Sequence, residues 1–219
     1  MTPKTVTYPL PESQYRKEEY IKKQIYLHHT VSGPGAEGDI NYWKSTPDRV
    51  ATCVVIERDG DIYECFNPKY CAAHLGITSD LAKKYGDKSV PNPNELLLRH
   101  SIGIEIDSWG GLTKNDKGQW INSAKQVMPS SDIIEYPNGF RGFKAFEKYT
   151  TQQIETVKYL LEKWCKEFGI PKTYNADIWD ICKRAYSLES GIFTHVSVRP
   201  DKSDMHPQPD MIETLQNLK

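Results

Sequence analysis

Residues 52–66 read TCVVIERDGDIYECF, the clearest local signal in the chain. Two apolar runs flank Arg58-Asp59-Gly60-Asp61, and Asp-Gly between such runs marks a β-hairpin, because glycine enters the φ > 0 region that a tight turn needs. The chain therefore builds a sheet that is at least partly antiparallel. Upstream, residues 24–30 (QIYLHHT) carry the β-branched and aromatic content of a strand. Downstream, residues 100–109 (HSIGIEIDSW) read as another. Side chains alternate along a strand, so Ile102, Ile104 and Ile106 take one face and Gly103, Glu105 and Asp107 the other.

Helical signals lie between and beyond these strands. A glycine-rich loop, SGPGAEGD, spans 32–39, and 39–50 predicts a short helix carrying Trp43. Residues 75–99, with Pro91 and Pro93, read as a broken helix plus loop. Thr150 with Gln153 forms a capping box. Ile154, Val157, Leu160, Leu161, Trp164 and Phe168 then recur at helical spacing, until Gly169 and Pro171 end the helix. Residues 1–22 are polar and turn-prone and read as an N-terminal arm over the surface. Residues 23–219 form one domain, in which 108–149 is a long insertion containing aromatic residues and glycine but no clean period. No repeat or linker divides it.

The chain has 219 residues, with Lys+Arg 28 against Asp+Glu 29 and a formal net charge of -1. Balanced charge argues against a nucleic-acid binder, which neutralises many phosphates. No apolar stretch approaches the roughly 18 residues of a membrane span. Residues 1–10, MTPKTVTYPL, lack the apolar core of a secretory signal, so synthesis in the cytoplasm is expected. The five cysteines are scattered without CxxC pairs, which suits buried reduced thiols; Cys65 and Cys71 are near enough in sequence for a bridge to be conceivable.

His28 and His29 end the first strand, and His195 opens THVSVRPDKSDMHP (194–207), in which Lys202, Asp204 and His206 follow. Two imidazoles and a carboxylate are the ligand set of a catalytic zinc that keeps one position open for water. Spacing alone leaves a second reading open, since an isolated histidine is commonly structural and an aspartate in a Pro-rich loop is commonly a turn residue. His28 and His29 point to opposite faces, so one of them faces a site and the other, His29, is structural. Glu105 also has two readings: a solvated sheet face, or burial that raises its pKa towards that of a general base.

The motifs IYLHHT, TCVVIERDGDIYECF, CAAHLG, HSIGIEI and THVSVRPDKSD, in this order across residues 24–207, resemble the zinc-dependent N-acetylmuramoyl-L-alanine amidases of the type 2 family, which includes phage amidases and peptidoglycan recognition proteins. The resemblance implies an α/β fold, a mixed central sheet flanked by helices in a single domain. It implies a zinc ion held by His28, His195 and Asp204, with Glu105 as general base and Lys202 stabilising the oxyanion. The substrate implied is peptidoglycan, cut between N-acetylmuramic acid and L-alanine by a monomer. His74 of CAAHLG and Trp109, just past the Glu105 strand, are the expected substrate contacts, and His206 is a possible competing ligand. Two departures stand out: Ala73 replaces a frequent tryptophan and Cys53 a frequent histidine. The other functions considered are a non-catalytic peptidoglycan-binding module and a cytoplasmic enzyme recycling anhydro-muropeptides; the setting expected first is a phage endolysin acting on the cell wall.

Overall fold

A computed structural model describes residues 2–86 and 92–219; Pro91 of the expected 75–99 break lies outside them. Along the chain, β1 (Thr5–Thr7) and β2 (Gln24–His29) precede α1 (Ala36–Ser45). The 52–66 stretch forms β3 (Val54–Ile56) and β4 (Ile62–Glu64). Two short helices, α2 (Ser79–Tyr85) and α3 (Pro93–Arg99), lead into β5 (Ser101–Ile106). Then come β6 (Gly111–Lys114), β7 (Trp120–Ile121), β8 (Ile133–Phe140) and β9 (Phe143–Glu147), followed by α4 (Thr151–Phe168), α5 (Lys183–Tyr186), β10 (Gly191–Thr194) and α6 (Pro209–Gln216).

The central sheet has the order β1-β4-β3-β5-β2-β10. The β3–β4 hairpin is its antiparallel pair, and the other neighbours run parallel. Gly60 sits at φ +88 in the hairpin turn, where a Cβ would come within 2.9 Å of Gln152; only glycine meets both demands. All six residues of β2 and of β5 are buried, as parallel strands covered on both faces should be. One cover is α4, whose Thr150–Gln153 capping box and left-handed Gly169 match the sequence reading. Ile154, Val157, Leu160, Leu161 and Trp164 join Ile102, Ile104 and Ile106 in one apolar cluster, each side chain contributing about 1.5–3 kcal/mol on burial. On the opposite face Ala36, Ile40 and Trp43 of α1 pack with Val55.

Two segments differ from their sequence reading. Residues 2–22 are mostly exposed or half-buried but are more ordered than a turn-prone arm: β1 extends the hairpin by pairing Thr5 with Ile62, since a β-branched Thr-Val-Thr run suits an open sheet edge. Leu10 is buried, and Lys22 donates to the carbonyls of Tyr70, Arg99 and Ser101 at 2.7, 2.9 and 3.0 Å. The insertion is a second, antiparallel sheet, order β7-β6-β9-β8, over a small core of Leu112, Met128 and Ala145. Its period is hidden because the β8–β9 register shifts between Glu135 and Phe140 and because many of its side chains are exposed.

The five cysteines are free and buried, so Cys65 and Cys71 are not bridged. Among the described residues no helix is long and apolar enough to cross a membrane.

Candidate active site

The parallel register brings the chemistry to one end of the sheet. His28 pairs with Glu105 across β2 and β5, and Val55 pairs with Glu105 across β3 and β5, so the histidine and the carboxylate stand side by side on the face that α1 covers. His195 follows β10 directly, and β10 is the other neighbour of β2. The carboxyl ends of β2, β5 and β10 thus converge, the usual position of a site in an α/β sheet. A cleft of about 560 Å³ opens there, lined by His28, His74, Glu105, His195, Lys202 and Asp204 together with Ser32, Asp39, Tyr42 and Trp43.

Asp204 Oδ2 lies 2.8 Å from His195 Nδ1 and 3.2 Å from His28 Nδ1, and the ligand atoms of the three residues all fall within 4.8 Å of one another. His195 Nε2 is 3.0 Å from the carbonyl of Leu75. A carbonyl only accepts, so Nε2 carries the proton. The Nδ1 lone pair is then turned toward a carboxylate, an arrangement that is favourable only with a cation, proton or metal, between them. Two donors bound at about 2.0–2.1 Å in a tetrahedral site sit roughly 3.3 Å apart, near the 3.2 Å between Asp204 and His28, while the 2.8 Å between Asp204 and His195 has about half an ångström to open. The donor set therefore fits zinc.

The electrostatics agree. Burial and the adjacent His195 ring push His28 down to about 4, so it is neutral near pH 7, as a metal ligand must be. Burial drives the Asp204 carboxyl up, but the His195 and His28 rings outweigh it and hold it well below the ordinary carboxylate range. Glu105 is buried rather than solvated. That burial, reinforced by the Asp204 and Asp39 carboxylates and opposed by Lys202, raises its carboxyl well above the usual range.

Residues 19–209 match the sequence pattern of the N-acetylmuramoyl-L-alanine amidase family. The chain belongs to that family. The amidase also shares its fold with solved structures of low identity. The structure of PlyL has a TM-score of 0.53 at 14% identity, covering 100% of this chain and 99% of that one. A mutant endolysin from Bacillus subtilis gives 0.54 at 13%, covering 98% and 97%. The Staphylococcus aureus hydrolase AmiA in complex with its ligand gives 0.53 at 12%, covering 99% and 83%. No curated protein matches the amidase. Its family makes it an amidase acting on peptidoglycan, with the mixed α/β fold expected.

Three expectations change. Trp109 does not line the cleft: its ring lies over Gly33, where a Cβ would meet it at 2.8 Å, and packs on the core of the second sheet. The cleft aromatics are Tyr42 and Trp43 of α1, and the helical reading of 39–50 had placed only Trp43. His206 is not one of the clustered ligands; Tyr136 Oη and the Glu147 carbonyl occupy its ring nitrogens at 2.8 and 3.0 Å. His74 reaches the cleft, but both of its nitrogens are engaged within the protein, by His28 and by Ser101. His29 faces away from the ligand set, bonded to Tyr149 Oη at 2.8 Å. Sequence reasoning missed Ser101 and the Leu75 carbonyl; the only signal was their position beside HSIGIEI and CAAHLG.

Proposed function

We propose that this amidase is zinc-dependent and hydrolyses the amide between N-acetylmuramic acid and L-alanine, with His28, His195 and Asp204 as the ligands. The observation that carries this reading is the convergence of two imidazoles and a carboxylate beside Glu105 and Lys202 in one cleft. Bound zinc supplies Lewis acidity, activating water and polarising the carbonyl. Glu105 receives the proton of the attacking water on its carboxylate and returns it to the departing amine of L-alanine. Its burial suits this role, because a raised pKa makes the carboxylate a stronger base toward the attacking water. The Lys202 ammonium faces the oxygen on which negative charge develops. Tyr42, exposed on α1 at the cleft, offers an apolar face for the sugar.

The substrate setting follows from the same reading: a monomer, one domain with a 108–149 insertion, attacking cell-wall peptidoglycan as an endolysin does. Dialysis against a chelator should abolish release of L-alanine amino termini from purified sacculi, and added zinc should restore it. Full activity after complete zinc removal would refute the metal role. If soluble anhydro-muropeptides are cut and intact sacculi are not, the cytoplasmic recycling role replaces the endolysin role.

A further inference from the structure

His74 spends both ring nitrogens on the protein, so its value lies in what it does to His28. Its Nδ1 lies 3.0 Å from His28 Nε2, its Nε2 lies 2.8 Å from Ser101 Oγ, and Ser101 Oγ lies 3.3 Å from the Leu98 carbonyl. The direction of this chain can be worked out from its far end. The Leu98 carbonyl only accepts, so it takes the Ser101 hydroxyl proton. Ser101 Oγ then accepts from His74 Nε2–H. His74 Nδ1 is left as an acceptor for His28 Nε2–H, and His28 Nδ1 is left bare, facing Asp204 Oδ2. The opposite ordering would seat a proton on His28 Nδ1, where a cation has to bind.

The ring of His74 is built into place. A Cβ on Gly103 would come within 3.0 Å of His74 Nδ1 and 2.8 Å of Thr52, so glycine in β5 leaves the room the imidazole occupies. Tyr26 closes on it edge-on, with centroids 5.9 Å apart. The next residue does the same for the second imidazole, because the Leu75 carbonyl takes the Nε2 proton of His195. One residue further, the Gly76 carbonyl accepts from the guanidinium of Arg199, on the loop that continues to Lys202 and Asp204.

We infer that Ser101 and His74 are positioning residues that fix the tautomer of His28, and that the consecutive pair His74 and Leu75 together orient both imidazole ligands. This rests on the zinc reading above. Partners of this kind typically change metal affinity by about 10–100-fold when removed. The test measures zinc affinity by competition with a chelator, and the His28 Nε2–H resonance of the zinc-loaded protein by ¹⁵N-resolved NMR.

His74→Leu should weaken zinc binding about 10–100-fold and remove the hydrogen-bonded character of the His28 Nε2–H signal. His74→Asn, which keeps an acceptor near the Nδ1 position, should recover part of the affinity. Ser101→Ala should weaken binding less, in the same direction, and serves if His74→Leu fails to fold. Affinity in both His74→Leu and Ser101→Ala equal to the wild type, with an unchanged His28 signal, would overturn the inference while leaving the zinc reading intact. If the wild type and Asp204→Ala bind zinc equally, the zinc reading itself fails and the inference falls with it.

Discussion

The two sheets of this amidase share a chain and differ in almost everything else. In the central sheet β2 and β5 are buried at every position, and their register sets a histidine beside a glutamate. In the second sheet most positions of β8 are exposed or half-buried, and none of its residues lines the catalytic cleft. Yet the second sheet grips the loop that bears Lys202 and Asp204: Tyr136 bonds His206, and Arg141 reaches the Pro200 carbonyl at 3.5 Å and Asp180 at 2.6 Å. The contrast separates chemistry from support. His28 and Glu105 hang from parallel strands buried on both faces, and the second sheet braces from outside the loop that carries Lys202 and Asp204.

Substitutions ordered by expected effect would break or sharpen this division. Asp204→Ala should lose bound zinc and turnover together, because two lone pairs then face an empty corner; metal content by mass spectrometry and release of L-alanine termini measure it. Glu105→Gln should retain zinc and the fold and lower kcat by about 10²–10⁴-fold, the usual contribution of a general base. Near-wild-type kcat in that variant would move the base elsewhere.

Tyr136→Phe probes the brace. It leaves the buried His206 Nδ1 without its partner, at a cost of about 1–3 kcal/mol, which should lower Tm by roughly 2–12 °C while kcat changes far less than for Glu105→Gln. A kcat loss as large as that of Glu105→Gln with an unaltered Tm would show that the second sheet takes part in catalysis. The smallest effect is expected for Lys114→Ala at the exposed end of β6, within about 0.5 kcal/mol of the wild type by calorimetry.

The same contrast explains what could be read from the sequence. IYLHHT, the Asp-Gly hairpin, HSIGIEI and the Thr150 capping box were legible because local chemistry and global packing ask for the same residues there. The second sheet was not legible: a register shift near Pro137 and Gly139 destroys its alternation, and β8 is nowhere fully buried. β1 escaped notice because three residues are too few to carry a period. At the site, His28, Glu105, His195, Lys202 and Asp204 emerged from ordered motifs. The work of Ser101 and the Leu75 carbonyl did not, since a hydroxyl and a backbone oxygen carry no sequence mark of their partner. Trp109 was misread because adjacency to Glu105 along the chain says nothing about which sheet a side chain joins.

The ligand set also carries information about the order of assembly. His28 and Asp204 are 176 residues apart along the chain, and the strand that delivers His195 is the last of the ten among the described residues. A growing polypeptide therefore passes most of its synthesis with a single member of the triad and no means of cutting anything. The three side chains meet only when β10 is paired with β2 and the segment from His195 to Asp204 follows it, so under the zinc reading metal retention would report that these distant segments have come together.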